Sequence, residues 1–153
     1  AIKLLSKENV YMMKINYYLF LISPIFMLML ILMMWMLYPM WFNNMSFDLS
    51  IIFLMCCFSL SVYGFMLGGW SSNNSYSMLG AIRSLAQCIS YEVSLSMILI
   101  IPLFLIDSFN MNDFKEIQEM GWWLLIYLWP LSMMFFLSLM AELNRTPFDF
   151  SEG

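Results

Sequence analysis

The chain has 153 residues, of which 63% are hydrophobic, 18% aromatic and only 10% charged, and its mean hydropathy is +0.81. Soluble domains are about half apolar and about a quarter charged, so the composition excludes a water-soluble domain and, through its aromatic content, a disordered chain. A net charge of −4 argues against a nucleic-acid partner, and the absence of histidine removes the commonest metal ligand and general base. We therefore predict an all-α integral membrane protein.

Four apolar stretches are long enough to cross a bilayer, which takes about 20 residues. We therefore expect about four transmembrane helices. Because the chain begins with Ala1 instead of methionine and stops just after a polar cluster, we expect it to be an internal fragment of a larger polytopic bundle. The prediction is one membrane domain over residues 1–153, with a lead-in over 1–14, spans over about 15–42, 47–70, 78–106 and 121–141, and a final loop over 142–153.

The lead-in carries three lysines, Lys3, Lys7 and Lys14, within a narrow arc of a helical wheel. An amphipathic helix in the membrane interface fits this pattern, and so does an irregular segment whose lysines bind the headgroups.

The basic residues predict how the chain crosses the membrane. With four crossings, the three lysines of the lead-in lie on the same side as Arg83 and Arg145, whereas Lys115 lies on the opposite side among acidic residues. Both ends of the chain then face the bacterial cytoplasm or the mitochondrial matrix.

Glu92 lies deep in the third predicted span. A carboxylate there costs at least about 2.5–3.5 kcal/mol on insertion scales, so it should face protein or water. Two stripes of small and polar residues follow the same helix: Ser84, Cys88, Glu92 and Ser96 in one, and Arg83, Gln87, Ser90 and Ser94 in the other. One interpretation is a hydrated path in which Glu92 binds and releases protons. The other is a neutral carboxyl bonded to a neighbouring helix, with serines that permit close packing.

The three cysteines lie in apolar runs and form no CxxC pair, so we expect no metal or iron–sulfur site in the chain.

The last residues combine charge with aromatic rings. Pro147 should end the fourth helix near Asn144, and Glu142 and Arg145 are spaced to pair on its last turn. Acids and rings then alternate, and such a segment can contact an amphiphilic ring, although a solvated loop is the alternative. The alternating residues are Phe148, Asp149, Phe150 and Glu152.

Two stretches carry a specific resemblance. Residues 79–94, LGAIRSLAQCISYEVS, and residues 141–153, AELNRTPFDFSEG, closely resemble the subunit 1 family of proton-translocating NADH:ubiquinone oxidoreductase, respiratory complex I. The family patterns are LGALRAVAQ-x-ISYEV and AE-x-NR-x-PFDL-x-EG. The opening AIKLLSKE and the GWSSN at 69–73 are also similar, so the resemblance covers the whole chain in order. Leu143 and Cys88 replace usual threonines, which removes no ionisable group.

The resemblance implies a membrane subunit that helps to form the ubiquinone chamber and couples quinone reduction to proton translocation through buried carboxylates. The quinone-chamber residues would be Arg83, Phe148, Asp149, Phe150 and Glu152, where the two phenylalanines follow from the alternation described above. The proton-coupling residues would be Glu92, Glu142 and Arg145.

The sequence has no nucleotide motif and no cluster ligands, so we expect this chain to bind no cofactor and to supply no catalytic residue or metal ligand of its own. Ubiquinone would be the substrate, whereas NADH, FMN and iron–sulfur clusters would belong to partner subunits. The expected partners are the hydrophilic arm, the antiporter-like membrane subunits and the lipid of the mitochondrial inner membrane, without nucleic acid. The alternatives are a homologous membrane subunit of a hydrogenase-type complex and a component of a cation/proton antiporter or channel.

Overall fold

A computed structural model describes residues 2–8, 13–39, 47–121 and 123–149, and these residues contain helices and irregular segments but no strand. This confirms the predicted all-α class. The helices are α1 (Ile2–Leu5), α2 (Tyr17–Trp35), α3 (Ser50–Ser71), α4 (Ser75–Ile106), α5 (Met111–Glu119), α6 (Leu124–Tyr127) and α7 (Trp129–Glu142). Of these, α2, α3 and α4 are long and apolar enough to cross a membrane, and α7 is a shorter apolar helix.

The long helices run in alternating directions. Helix α3 packs between α2 and α4, and α4 also packs against α7. The backbone N–H of Asn16 donates to Ser71 O at 3.0 Å, which joins the start of α2 to the end of α3. At the opposite end of α3, Ser50 Oγ donates to Phe109 O at 3.1 Å and accepts from the N–H of Met111 at 2.8 Å. The starts of α2 and α4 therefore lie at one end of the bundle, which we call the loop end.

Close packing of α3 on α4 depends on a glycine. A Cβ added to Gly69 would overlap the Cβ of Ala81 and lie 3.3 Å from Ser77 O. Gly68, one residue earlier, has more room, since its added Cβ would lie 3.5 Å from Ser23 Oγ.

The first and third predicted spans differ from the helices at their ends. Helix α2 stops at Trp35, and residues 40–42 of the span predicted over 15–42 lie outside the described residues. Helix α4 begins at Ser75, earlier than the predicted residue 78, because the Asn74 side chain accepts a hydrogen bond from the N–H of Tyr76 at 3.3 Å and caps the helix.

The fourth predicted span, 121–141, is not one continuous helix. Helices α6 and α7 are separated at Leu128, where φ is −110° and ψ is 46°. Pro130 stands in the first turn of α7, has no N–H to donate to Ile126 O, and its ring would clash with that carbonyl in a continuous helix. The structure therefore divides the predicted span between α6 and α7.

The lead-in forms only the single turn of α1, followed by irregular residues up to Glu8. Residues 9–12 lie outside the described part of the chain. Both interpretations of the lead-in therefore stay predictions.

Candidate functional site

The candidate site lies where α4 passes the end of α7. Gln87 of α4 is only 6% exposed, and its Nε2 donates to Ala141 O and to Phe148 O, both at 2.8 Å. One turn along α4, the ring of Tyr91 meets that of Phe148 edge-on, with 5.5 Å between the ring centroids. These contacts hold both the last turn of α7 and the segment after it against α4.

The segment after α7 folds back because the chain turns at Asn144. Asn144 adopts a φ of 48°, a left-handed conformation that asparagine tolerates better than most residues. The N–H of Asn144 donates to Ala141 O at 3.3 Å, and the N–H of Arg145 donates to Met140 O at 3.1 Å. A second turn follows, in which the N–H of Phe148 donates to Arg145 O at 2.7 Å. We call residues 143–149 the return loop.

The packing of α7 against α4 brings two acids of distant sequence together. Glu142 on the last turn of α7 and Glu92 of α4 lie close enough for their charges to interact, and Cys88 is within electrostatic reach of both. We call Glu92 and Glu142 the carboxyl pair. Both side chains are partly buried, at the junction that Gln87 ties together.

The two stripes on α4 differ in their surroundings. The first is turned toward protein, with Ser84 and Cys88 buried and Glu92 and Ser96 partly buried. In the second stripe Gln87 alone is buried, whereas its other members, Arg83, Ser90 and Ser94, are exposed. The hydroxyls of Ser84, Ser90, Ser94 and Ser96 each donate to the carbonyl three residues earlier, at 2.7–2.9 Å. These serines are therefore satisfied within α4, which suits close packing.

The predicted arginines lie at the loop end, and both are exposed. Arg83 is one turn before Gln87, and Arg145 lies in the return loop. Neither forms an ion pair within the described residues, and the Glu142–Arg145 pair that the spacing allowed is not made, because the turn at Asn144 interrupts the helix between them.

The remaining predicted residues belong to the return loop and the segment after it. Phe148 and Asp149 are partly buried, whereas Phe150 and Glu152 lie outside the described residues.

Sequence reasoning did not single out Gln87. A buried amide costs free energy unless it is hydrogen-bonded, so a glutamine in a helix long enough to cross the membrane is itself a signal of a partner on a neighbouring segment.

A family model described as NADH dehydrogenase matches residues 1–153. The chain belongs to this family. It is 50% identical to NADH-ubiquinone oxidoreductase chain 1 of Locusta migratoria, 46% identical to that of Aedes aegypti and 41% identical to that of Danio rerio, in each case over its whole length. It covers 48%, 49% and 47% of these relatives, so it spans about half of their length.

These matches confirm the resemblance that the two motifs indicated. Together with the apolar helices, they make this NADH dehydrogenase family member a multi-pass protein of the mitochondrial inner membrane, as predicted.

Proposed function

We propose that the chain acts as a membrane subunit of proton-translocating NADH:ubiquinone oxidoreductase, helping to form the ubiquinone chamber and coupling quinone reduction to proton translocation. The observation that carries the proposal is the junction at Gln87, which places the return loop directly beside the carboxyl pair. The names of the relatives supply the reaction, since each is an NADH-ubiquinone oxidoreductase chain 1.

In the proposed topology the chain crosses the membrane four times, with α6 and α7 together forming the fourth crossing. Residues 124–142 extend about 28 Å at 1.5 Å per residue, close to the hydrocarbon thickness of about 30 Å. The loop end faces the matrix, because Lys14, Arg83 and Arg145 lie at that end, and Lys115 lies at the other.

The return loop is the proposed quinone contact. Phe148 offers an aromatic surface that is already fixed edge-on against Tyr91, and Asp149 follows it directly. The proposed chamber lining also includes Arg83 at the loop end and, farther along the sequence, Phe150 and Glu152. An aromatic surface next to polar groups suits a ring that carries oxygens.

The carboxyl pair is the proposed proton-coupling element, with Arg145 nearby in the return loop. The charges of Glu92 and Glu142 interact, so proton binding to one changes the free energy of ionising the other. A change of charge at the return loop, where quinone is proposed to bind, can therefore change the protonation of the carboxyl pair beside α4.

Electron transfer from NADH is assigned to partner subunits. The sequence has no glycine-rich nucleotide motif and no CxxC pair for a cluster, so we place NADH, FMN and the iron–sulfur clusters in the hydrophilic arm. The other proposed partners are antiporter-like membrane subunits and the bilayer lipid.

A photoreactive short-chain ubiquinone tests the quinone proposal in the assembled enzyme. We expect label on the peptide that contains residues 143–149, and we expect excess unmodified quinone to suppress it. Label found only on partner subunits would contradict a quinone contact by this chain.

A further inference from the structure

One side chain joins the two halves of the proposed site. Gln87 Nε2 donates to the carbonyl of Ala141, the residue before Glu142, and to the carbonyl of Phe148, the residue before Asp149. We propose that Gln87 is a positioning residue that transmits movement of the return loop to the carboxyl pair. This inference rests on the proposed function and adds to it a specific residue through which the two parts are coupled.

Burial makes the two hydrogen bonds of Gln87 hard to replace. Gln87 is 6% exposed, Cys88 beside it is also 6% exposed, and Ala141 is fully buried. Water therefore has little access to the Ala141 carbonyl if the amide is withdrawn. The N–H of Asn144 donates to the same carbonyl at 3.3 Å, so the amide, the turn and the helix end meet at one oxygen.

The remaining hydrogen-bonding capacity at the junction is also buried. Gln87 Oε1 and Asn144 Oδ1 accept no hydrogen bond from the part of the chain that the structure describes. A carboxyl group that gains a proton becomes a hydrogen-bond donor, and these two acceptors lie next to the backbone that carries Glu142. The Gln87 amide is therefore placed to respond to protonation of the carboxyl pair through its oxygen, and to the position of Phe148 through its N–H group.

The test replaces Gln87 by an apolar side chain of similar length in the full-length subunit of the assembled enzyme. In Gln87→Met we expect the KM for a short-chain ubiquinone to rise about tenfold, the size expected when buried hydrogen bonds are lost. We also expect fewer protons translocated per electron. Reduction of ferricyanide by NADH should stay normal, because that reaction needs only the partner subunits that we assign to electron entry.

Gln118→Met is the matched control, because it makes the same change on an exposed face of α5 at the opposite end of the bundle. It should leave both the KM and the proton stoichiometry unchanged. A purely structural role for Gln87 predicts less assembled enzyme with normal values per enzyme, and that result in Gln87→Met would overturn the proposal.

Hydrogen exchange in the unmodified enzyme gives a measurement that does not depend on assembly of a variant. Adding short-chain ubiquinone should change the exchange of the Arg145 and Phe148 amides together with that of the last turn of α7. A change confined to the return loop would also overturn the inference. If the photoreactive quinone labels the loop while Gln87→Met behaves normally, the coupling role alone fails and the proposed function stands.

Discussion

Glu92 and Gln87 differ in how far the sequence reveals them. Glu92 is conspicuous because a carboxylate deep in an apolar span must have a reason to be there. Gln87 belongs to a stripe whose other members are exposed, and spacing alone does not tell which member meets a neighbour. The partner of Gln87 is set by the left-handed turn at Asn144, which returns Phe148 to α4. No local pattern near Gln87 encodes that turn.

The substitution Glu92→Gln tests the proposed role of Glu92 in proton coupling. The substitution keeps the size and a polar head group but removes the ionisable carboxyl group, so position 92 can no longer bind and release a proton. We expect assembled enzyme whose proton-to-electron ratio falls to about half or less, measured in sealed vesicles, because a relay site passes its effect to the sites that follow.

Glu116→Gln is the control for this experiment, since Glu116 is exposed on α5 at the end opposite the return loop. It should retain the normal ratio. An unchanged ratio in Glu92→Gln would remove Glu92 from the coupling path.

Hydrophobic length predicts the presence of helices better than it predicts their continuity. The three long helices follow directly from apolar stretches long enough for a bilayer, whereas their ends differ from the predicted bounds, as where the Asn74 cap starts α4 at Ser75. The fourth stretch has similar composition but is divided at Leu128, two residues before Pro130, whereas Pro24 and Pro102 lie inside continuous helices. Packing distances between helices are even less visible in the sequence, since Gly68 and Gly69 look alike there.

The substitution Gly69→Ala tests the close packing of α3 on α4. Its new Cβ would overlap that of Ala81, so α3 and α4 must separate, and overpacking of this kind costs about 1–3 kcal/mol. We expect a lower thermal midpoint of the assembled enzyme or a smaller assembled fraction. Gly68→Ala should behave like the unmodified protein, because its Cβ meets Ser23 Oγ at an ordinary distance of 3.5 Å. Equal stability of the two variants would show that this contact is not limiting.

At the scale of the whole molecule, charge placement and helix direction agree. The sequence alone put most basic residues on one side by counting crossings, and the structure brings the start of α2, the end of α3 and the start of α4 to one end through the Asn16–Ser71 hydrogen bond. The outer surface is apolar, with large side chains of α2 such as Ile25, Leu28 and Trp35 exposed. Lipid or further protein must cover these faces.

Two engineered cysteines test the topology of the whole molecule. Asn73→Cys lies in the exposed turn between α3 and α4 at the loop end, whereas Glu116→Cys lies on α5 at the other end. A membrane-impermeant maleimide should label the first only from the matrix side and the second only from the opposite side. The native cysteines lie within α3 and α4 and serve as the unlabelled background. Labelling of both positions from the same side would contradict an odd number of crossings between them.

The break at Leu128 leaves a joint between α6 and α7. Helix α7 is 14 residues long, or about 20 Å at 1.5 Å per residue, and Glu142 stands at the end farthest from the break. Because the Ile126 carbonyl has no Pro130 N–H to hold it, the joint between α6 and α7 lacks a bond that stiffens a regular helix. A tilt of about 5° at this joint displaces the far end by about 2 Å, given the rise per residue. A displacement of that size away from α4 would break the hydrogen bond that Ala141 accepts from Gln87, so a small angular change near the outer end of the fourth crossing would act on the carboxyl pair at its other end.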